Sequence, residues 1–179
     1  MTASPEERYY NIHDIEDLPE GQRAELIDGR IYMQPAPLRI HQRLTGRLQR
    51  CILDGIEKAG KPCDVYAAPF AVYLGSDYVE PDLSVICDPS RLTEKGCDGA
   101  PDWIIEVLSP STAMNDYVRK LALYAKAGVR EYWIVNPAGK TVRTYDFSTP
   151  EPHSAEYSFS EAIPVSICED FTIRISDLL

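Results

Sequence analysis

The sequence predicts a single α/β domain with a mixed central β-sheet flanked by helices. Three observations predict it. The short apolar run Ile104-Ile105-Glu106-Val107-Leu108 suits a strand buried on both faces. A helical pattern follows it, then a second apolar run from Glu131 to Val135. Strand, helix and strand in that order form a crossover unit, so part of the sheet runs parallel. Finally, 179 residues of which 44% are hydrophobic suffice for one core, expected to span residues 1–179.

The elements can be taken in order. Residues up to about Pro19 read as a leader with one short turn or helix near Asn11 to Leu18. Ala24 to Met33 is a hairpin, because Asp28-Gly29 separates two apolar runs. Leu38 to Ala59 is a helix with Ile40, Leu44, Leu48, Cys51 and Ile52 inward, and His41 on that same face. Gly60-Lys61-Pro62 ends it. Asp64 to Leu74 reads as a strand with an irregularity at Pro69, and Tyr78 to Cys87 as the next. Asp88 to Gly99 is a polar loop. The next helix follows Ser109-Pro110, capped by Ser111 or Thr112 and stopped at Gly128. Met114, Tyr117, Val118, Leu121, Tyr124 and Ala125 share its inward face, and Lys120 borders that face. Thr141 to Phe147 is a strand and Ser148 to Ser154 a loop. Tyr157 to Phe159, Val165 to Cys168 and Phe171 to Ile175 are short late strands or strand-like pieces.

Composition narrows the setting. No stretch approaches the roughly 20 apolar residues that span a bilayer, and the polar, acidic N-terminus is not a secretory signal. The five cysteines are scattered, odd in number and without a Cys-x-x-Cys pair. They are expected as reduced thiols in a cytoplasmic protein. Neither they nor the three histidines have zinc spacing. The net charge of −10 argues against tight, non-specific coating of nucleic acid. No phosphate-cradling glycine loop is present, and no organic cofactor is expected.

Two acids stand out. Glu106 interrupts a buried apolar run, where a carboxylate is costly unless paired. Asp82 holds a similar place in Val79-Glu80-Pro81-Asp82-Leu83. On neighbouring strands both would reach one sheet edge. Two carboxylates about 4 Å apart repel by roughly 4 kcal/mol at an effective dielectric of 20. A divalent cation relieves that repulsion, and oxygen-only ligation suits Mg²⁺ or Mn²⁺. Lys120 can reach back toward Glu106, or else snorkel past its tyrosines into water or pair with Asp116 one turn earlier. Arg39, Arg43, Arg47 and Arg50 fall on one helical stripe, and no Asp or Glu occurs between Asp28 and Asp54. The stripe is either a solvated face or a row of phosphate contacts.

Several of these stretches together resemble the Uma family, endonucleases of the PD-(D/E)XK nuclease superfamily. They are Glu80-Pro81-Asp82, then Ala100-Pro101-Asp102-Trp103-Ile104-Ile105-Glu106 with its Val-Leu-Ser-Pro-Ser continuation, and then Asp116, Lys120 and Tyr124 running into Gly128-Val-Arg-Glu-Tyr-Trp-Ile-Val-Asn-Pro137. Glu25-Leu-Ile-Asp-Gly-Arg-Ile-Tyr32 and His41 extend the resemblance over nearly the whole chain. It implies a restriction-endonuclease-like fold with the leader, residues 1–20, packed on it. It also implies metal-assisted hydrolysis of DNA, with Asp82, Glu106 and the Val107 carbonyl holding Mg²⁺ or Mn²⁺. The superfamily's lysine, two residues after the glutamate, is here Leu108. The resemblance implies that it has moved to the helix as Lys120. It further implies a site role for Glu25 and His41, with Tyr124 lining the site. A homodimer is expected, since cutting both strands needs two sites. The rival expectation is a catalytically degenerate module of the same fold that binds nucleic acid or protein. Leu108 and the acidic charge are its support.

Overall fold

The computed structural model describes residues 8–109 and 113–179, and for residues 113–117 the backbone alone. The chain runs α1 (Ile12–Glu16), β1 (Ala24–Ile27), β2 (Arg30–Met33), α2 (Arg39–Lys58), β3 (Asp64–Ala67), β4 (Val72–Leu74), β5 (Asp77–Val79) and β6 (Leu83–Ile86). It continues through β7 (Leu92–Thr93), β8 (Gly96–Asp98), β9 (Trp103–Val107), α3 (Ala113–Ala127), β10 (Glu131–Asn136), β11 (Thr141–Asp146) and β12 (His153–Ser158). β13 (Ile163–Pro164) and β14 (Thr172–Ile173) pair with each other near the C-terminus.

The main sheet has six strands in the order β12-β11-β10-β9-β6-β3. It is mixed: β9 and β10 run parallel, as the crossover through α3 requires, while β6 is antiparallel to β9. A second six-stranded sheet has the order β2-β1-β5-β4-β8-β7. The expected mixed central sheet is thus accompanied by a second sheet, and the cause lies at two prolines. The run from Tyr78 to Cys87 breaks at Glu80-Pro81-Asp82, sending β5 to the second sheet and β6 to the main one. Proline has no N–H to donate to a ladder. The run from Asp64 to Leu74 breaks likewise at Ala68-Pro69, with β3 and β4 in different sheets. Asp82 therefore stands just before β6 and not within a strand. The expected loop from Asp88 to Gly99 holds a 3-10 turn at Pro89–Arg91 and the short strands β7 and β8. β12 begins at His153, inside the stretch expected as a loop, and Val165 to Cys168 is not a strand.

The β1–β2 hairpin turns where the sequence indicated. Asp28 (φ 50°) and Gly29 (φ 71°) both adopt the left-handed region that a two-residue turn of this hand requires. The leader touches the hairpin, with Tyr10 N–H donating to Gly29 O at 2.8 Å.

Alternation along β9 divides the core. Trp103, Ile105 and Val107 pack toward Leu44, Leu48, Ile52 and Ile56 of α2, whereas Ile104 packs with Leu123 and Tyr124 of α3 and with Ile27, Val72 and Val79 of the second sheet. Three helical positions expected inward are exposed. Ile40, in the first turn of α2, is exposed. On α3, Val118 is 63% exposed and Ala125 is exposed too, while Lys120 is only 4% exposed. The helix is rolled so that Lys120, Leu123 and Tyr124 face inward, because two carboxylates await the ammonium there. The proposed caps Ser111 and Thr112 lie outside the described residues, as do the side chains of Met114 and Tyr117.

The cysteine expectation also needs correcting. Asp64 pairs with Ile86 in the antiparallel β3–β6 ladder, so the next register step sets Cys63 opposite Cys87, and the two form a disulfide. Cys51, Cys97 and Cys168 are free thiols. Nothing in the spacing of 24 residues signals a cross-strand pair.

Glu131 is buried at the start of β10, accepting hydrogen bonds from Trp133 Nε1 (2.7 Å) and Ile167 N–H (3.0 Å). Burial pushes its carboxyl up to about 7, against the downward pull of the Ile167, Ser166 and Trp133 donors. A carboxyl raised on folding contributes stability that is fully present below its ordinary value near 4.5 and lost as pH rises through the folded value. Denaturant midpoints should therefore fall between pH 5 and 8, and Glu131→Gln should flatten part of that slope. An identical slope in the variant would show that Glu131 titrates normally.

Candidate functional site

The site forms where β6 and β9 end together. Leu83 pairs with Ile105, so one further register step brings Asp82 opposite Glu106 on the neighbouring strand. Glu106 shares the face of Ile104, the α3 side, as alternation dictates. Around these ends lies a cavity of about 600 Å³, whose lining includes Arg23, Gln34, His41, Glu80, Asp82, Glu106, Val107, Leu108 and Lys120.

Each acid is held by specific donors. His41, on the first turn of α2, places Nε2 2.9 Å from Asp82 Oδ2, and Val107 N–H donates to the same oxygen at 2.7 Å. Lys120 Nζ donates to Glu106 Oε1 at 2.9 Å, and the Tyr124 hydroxyl donates to that oxygen at 2.8 Å. No described residue hydrogen-bonds Asp82 Oδ1 or Glu106 Oε2. The donors thus fix one oxygen of each carboxylate and leave the other.

Glu25 is fully buried (0% exposed), not the solvated strand-end acid that its position in isolation suggests. Its Oε1 accepts from Lys120 Nζ at 2.9 Å and from Glu80 N–H at 3.1 Å, and its Oε2 accepts from Gln34 Nε2 at 2.7 Å. One ammonium is therefore clamped between an acid of the second sheet and an acid of the main sheet. Snorkelling into water is excluded by its burial.

The electrostatics follow from the count of charges. Glu25, Asp82 and Glu106 gather around two basic groups, the Lys120 ammonium and the His41 imidazole, so carboxylates outnumber them. Burial raises the Glu106 carboxyl; Lys120 pulls it down, and Asp82 and Glu25 push it up further. For His41, burial acts to lower the value, but the Asp82 hydrogen bond and the charges of Asp82 and Glu106 outweigh it and raise the imidazole. Burial and the neighbouring carboxylates likewise hold the Tyr124 hydroxyl protonated, as a donor.

The donor set is suited to a hard divalent cation. Among the described residues no three His, Cys, Asp or Glu side chains converge as a ready cage. Mg²⁺ rarely needs one, since it binds through one or two carboxylates and fills its shell with water and substrate phosphate. Asp82 and Glu106 each keep one oxygen that no described residue bonds, as carboxylates able to bind such a cation would.

The arginine stripe lies elsewhere. None of Arg39, Arg43, Arg47 and Arg50 lines this cavity. Arg43 donates to Leu179 O and Arg47 to both Leu178 O and Leu179 O, while Arg50 sits 3.8 Å from Asp54. Arg47 and Arg50 line a different cavity, bounded by α2 and the C-terminal segment. Sequence reasoning passed over Arg23, Gln34 and Glu80. The Glu80-Pro81-Asp82 break was the available signal for Glu80; nothing marked Arg23.

Comparison with known proteins adds three findings. A family model described as Uma2, putative restriction endonuclease, matches residues 8–176. An uncharacterized protein of Synechocystis sp. is 27% identical over 127 residues, spanning 69% of this chain and 66% of the relative, just under two thirds of its length. The crystal structure of a putative nuclease of the DUF820 group from Anabaena variabilis is similar with a TM-score of 0.77 at 25% identity, covering 94% of this chain and 96% of that one.

The clamp makes a direct prediction. Lys120→Met leaves Glu25 and Glu106 without their shared counter-charge, and removing one partner of a buried pair costs about 3–5 kcal/mol. Denaturant unfolding of the metal-free protein should show that loss, and Glu25→Gln added to Lys120→Met should recover part of it. A loss below about 1 kcal/mol, in the range of exposed pairs, would mean that the ammonium is not the counter-charge of this cluster.

Proposed function

This chain belongs to the Uma2 family of putative restriction endonucleases, and from that premise we propose that it is a divalent-metal-dependent endonuclease hydrolysing DNA phosphodiester bonds. The observation that carries the reading is the pair of carboxylates at one sheet end, each with one oxygen fixed by protein donors and one left over. The fold neighbour from Anabaena variabilis supports a nuclease in general terms.

Asp82 and Glu106, with the Val107 carbonyl, would hold Mg²⁺ or Mn²⁺. The cation would supply Lewis acidity toward the scissile phosphate and lower the pKa of water at the site. His41 and the Val107 N–H orient Asp82 through Oδ2. Tyr124 and Lys120 do the same for Glu106 through Oε1. Lys120 stays protonated between its two acids, because opposite charges favour the charged form. It therefore acts as an electrostatic clamp on charge that builds on phosphorus, not as a base. It would take over the part of the lysine absent at Leu108. Glu25, with both oxygens occupied, positions Lys120 and does not face a second cation. Cutting both strands of a duplex calls for two such sites, which a homodimer would supply. Among the described residues no helix is long and apolar enough to cross a membrane, and the Cys63–Cys87 disulfide removes the reduced-thiol ground for a cytoplasmic setting.

The test is cleavage of supercoiled plasmid and of labelled oligonucleotides with Mg²⁺ or Mn²⁺. Wild type should nick or linearise DNA only with the cation. Asp82→Asn should reduce the rate at least about 100-fold, the scale lost when a group stabilising transition-state charge is removed. Equal cleavage in EDTA, or by Asp82→Asn, would refute the assignment. A wild type that binds nucleic acid but never cuts it would favour the degenerate-module reading.

A further inference from the structure

On the nuclease reading this acidic chain engages a polyanion, and several of its described cations are already paired. Arg8 pairs with Asp14, Lys95 with Glu16, Arg91 with Asp88, Arg130 with Asp102 and Arg143 with Glu156. Arg43 and Arg47 are turned to C-terminal carbonyls. Among the described residues lining the candidate cavity, the only lysine and arginine are Lys120 and Arg23. Lys120 lies at the cavity floor, buried between two carboxylates.

Arg23 is placed differently. It directly precedes β1, two residues before Glu25, and its carbonyl is held by Gln34 N–H at 2.8 Å. Its Nε donates to Glu80 Oε2 at 2.6 Å, and the Tyr78 hydroxyl fixes the other oxygen of Glu80 at 2.7 Å. The Glu80 backbone in turn donates to Glu25. Glu80 thus ties the arginine to the same framework that holds the lysine. The Arg23 side chain is 33% exposed, and no described residue bonds its two terminal nitrogens. A guanidinium anchored through Nε presents those two nitrogens as a planar fork, the geometry that matches two phosphate oxygens.

We infer that Arg23 is the phosphate-binding residue of this site, gripping a backbone phosphate of the strand that lies in the cavity. The inference rests on the nuclease reading above and deepens it: the substrate is held by few phosphate contacts, with Arg23 the chief one. Such binding is steered by local placement of charge in a protein whose overall field repels nucleic acid.

The test uses the full chain and a fluorescein-labelled DNA duplex, with Ca²⁺ replacing Mg²⁺, and reads binding by anisotropy over a salt series. The slope of log affinity against log salt should be shallow in wild type and fall by about 1 in Arg23→Gln. Affinity should drop about tenfold, as for one hydrogen bond to a charged group. Arg23→Lys should restore the slope and only part of the affinity, since an ammonium keeps charge without the fork. Arg143→Gln, the same charge change on a distant strand, should leave both unchanged. Mn²⁺ affinity should be preserved in Arg23→Gln, separating this effect from misfolding of the site. Wild-type slope and affinity in Arg23→Gln, or an equal loss in Arg143→Gln, would overturn the inference while leaving the nuclease reading intact. A wild type that neither binds nor cuts any nucleic acid would overturn both.

Discussion

The ammonium of Lys120, buried between Glu25 and Glu106, is the contact on which the rest of the structure depends. It joins by charge three elements that also meet through the apolar contacts of Ile27, Ile104 and Leu123: β1 of the second sheet, β9 of the main sheet and α3 of the crossover. A buried charge of either sign is costly, and each of these is tolerable only in the company of the others. The roll of α3 that exposes Val118 and buries Lys120 follows from this requirement. So does the approach of the two sheets, since Glu80, at the break between β5 and β6, donates its N–H to Glu25.

The cluster is left out of balance, with three carboxylates to the Lys120 ammonium and the His41 imidazole. A protein built only for stability gains little from such an arrangement, because apolar residues of similar volume would serve as well. The imbalance is intelligible as a place held for a cation. The rest of the molecule is consistent with that economy of charge: a net −10 overall, several basic side chains committed to local pairs, and one arginine kept at the cavity with donors to spare. Reaction and recognition would then share one small region fixed by the two proline breaks, Ala68-Pro69 and Glu80-Pro81-Asp82.

Much of this was legible in the sequence. The hydrophobic run around Glu106 and the crossover to β10 follow from short-range periodicity, and β9 and β10 pair in parallel as that pattern implies. The Asp28-Gly29 hairpin follows from local turn chemistry. Asp82 and Glu106 were conspicuous because acids are rare in apolar runs. What escaped was set by contacts distant in sequence. The division into two sheets depends on where each half of a broken strand finds its partner. The burial of Glu25 depends on a lysine 95 residues away. The Cys63–Cys87 bond depends on the register of β3 against β6. The arginine stripe misled for a related reason: helical spacing shows that residues share a face, not what that face meets, and here part of it meets the C-terminal segment. Arg23 carried no signal at all, since a single arginine before a strand is unremarkable until the cavity beside it is known.

The central claim is that Asp82 and Glu106 together hold one divalent cation. Calorimetric titration of the metal-free protein with Mn²⁺ tests it without reference to any substrate. The account predicts one site per chain, lost in both Asp82→Asn and Glu106→Gln and retained in Lys120→Met, where removal of the competing ammonium should if anything tighten binding. Binding that survives both carboxylate substitutions, or a wild type that takes up no Mn²⁺, would contradict it.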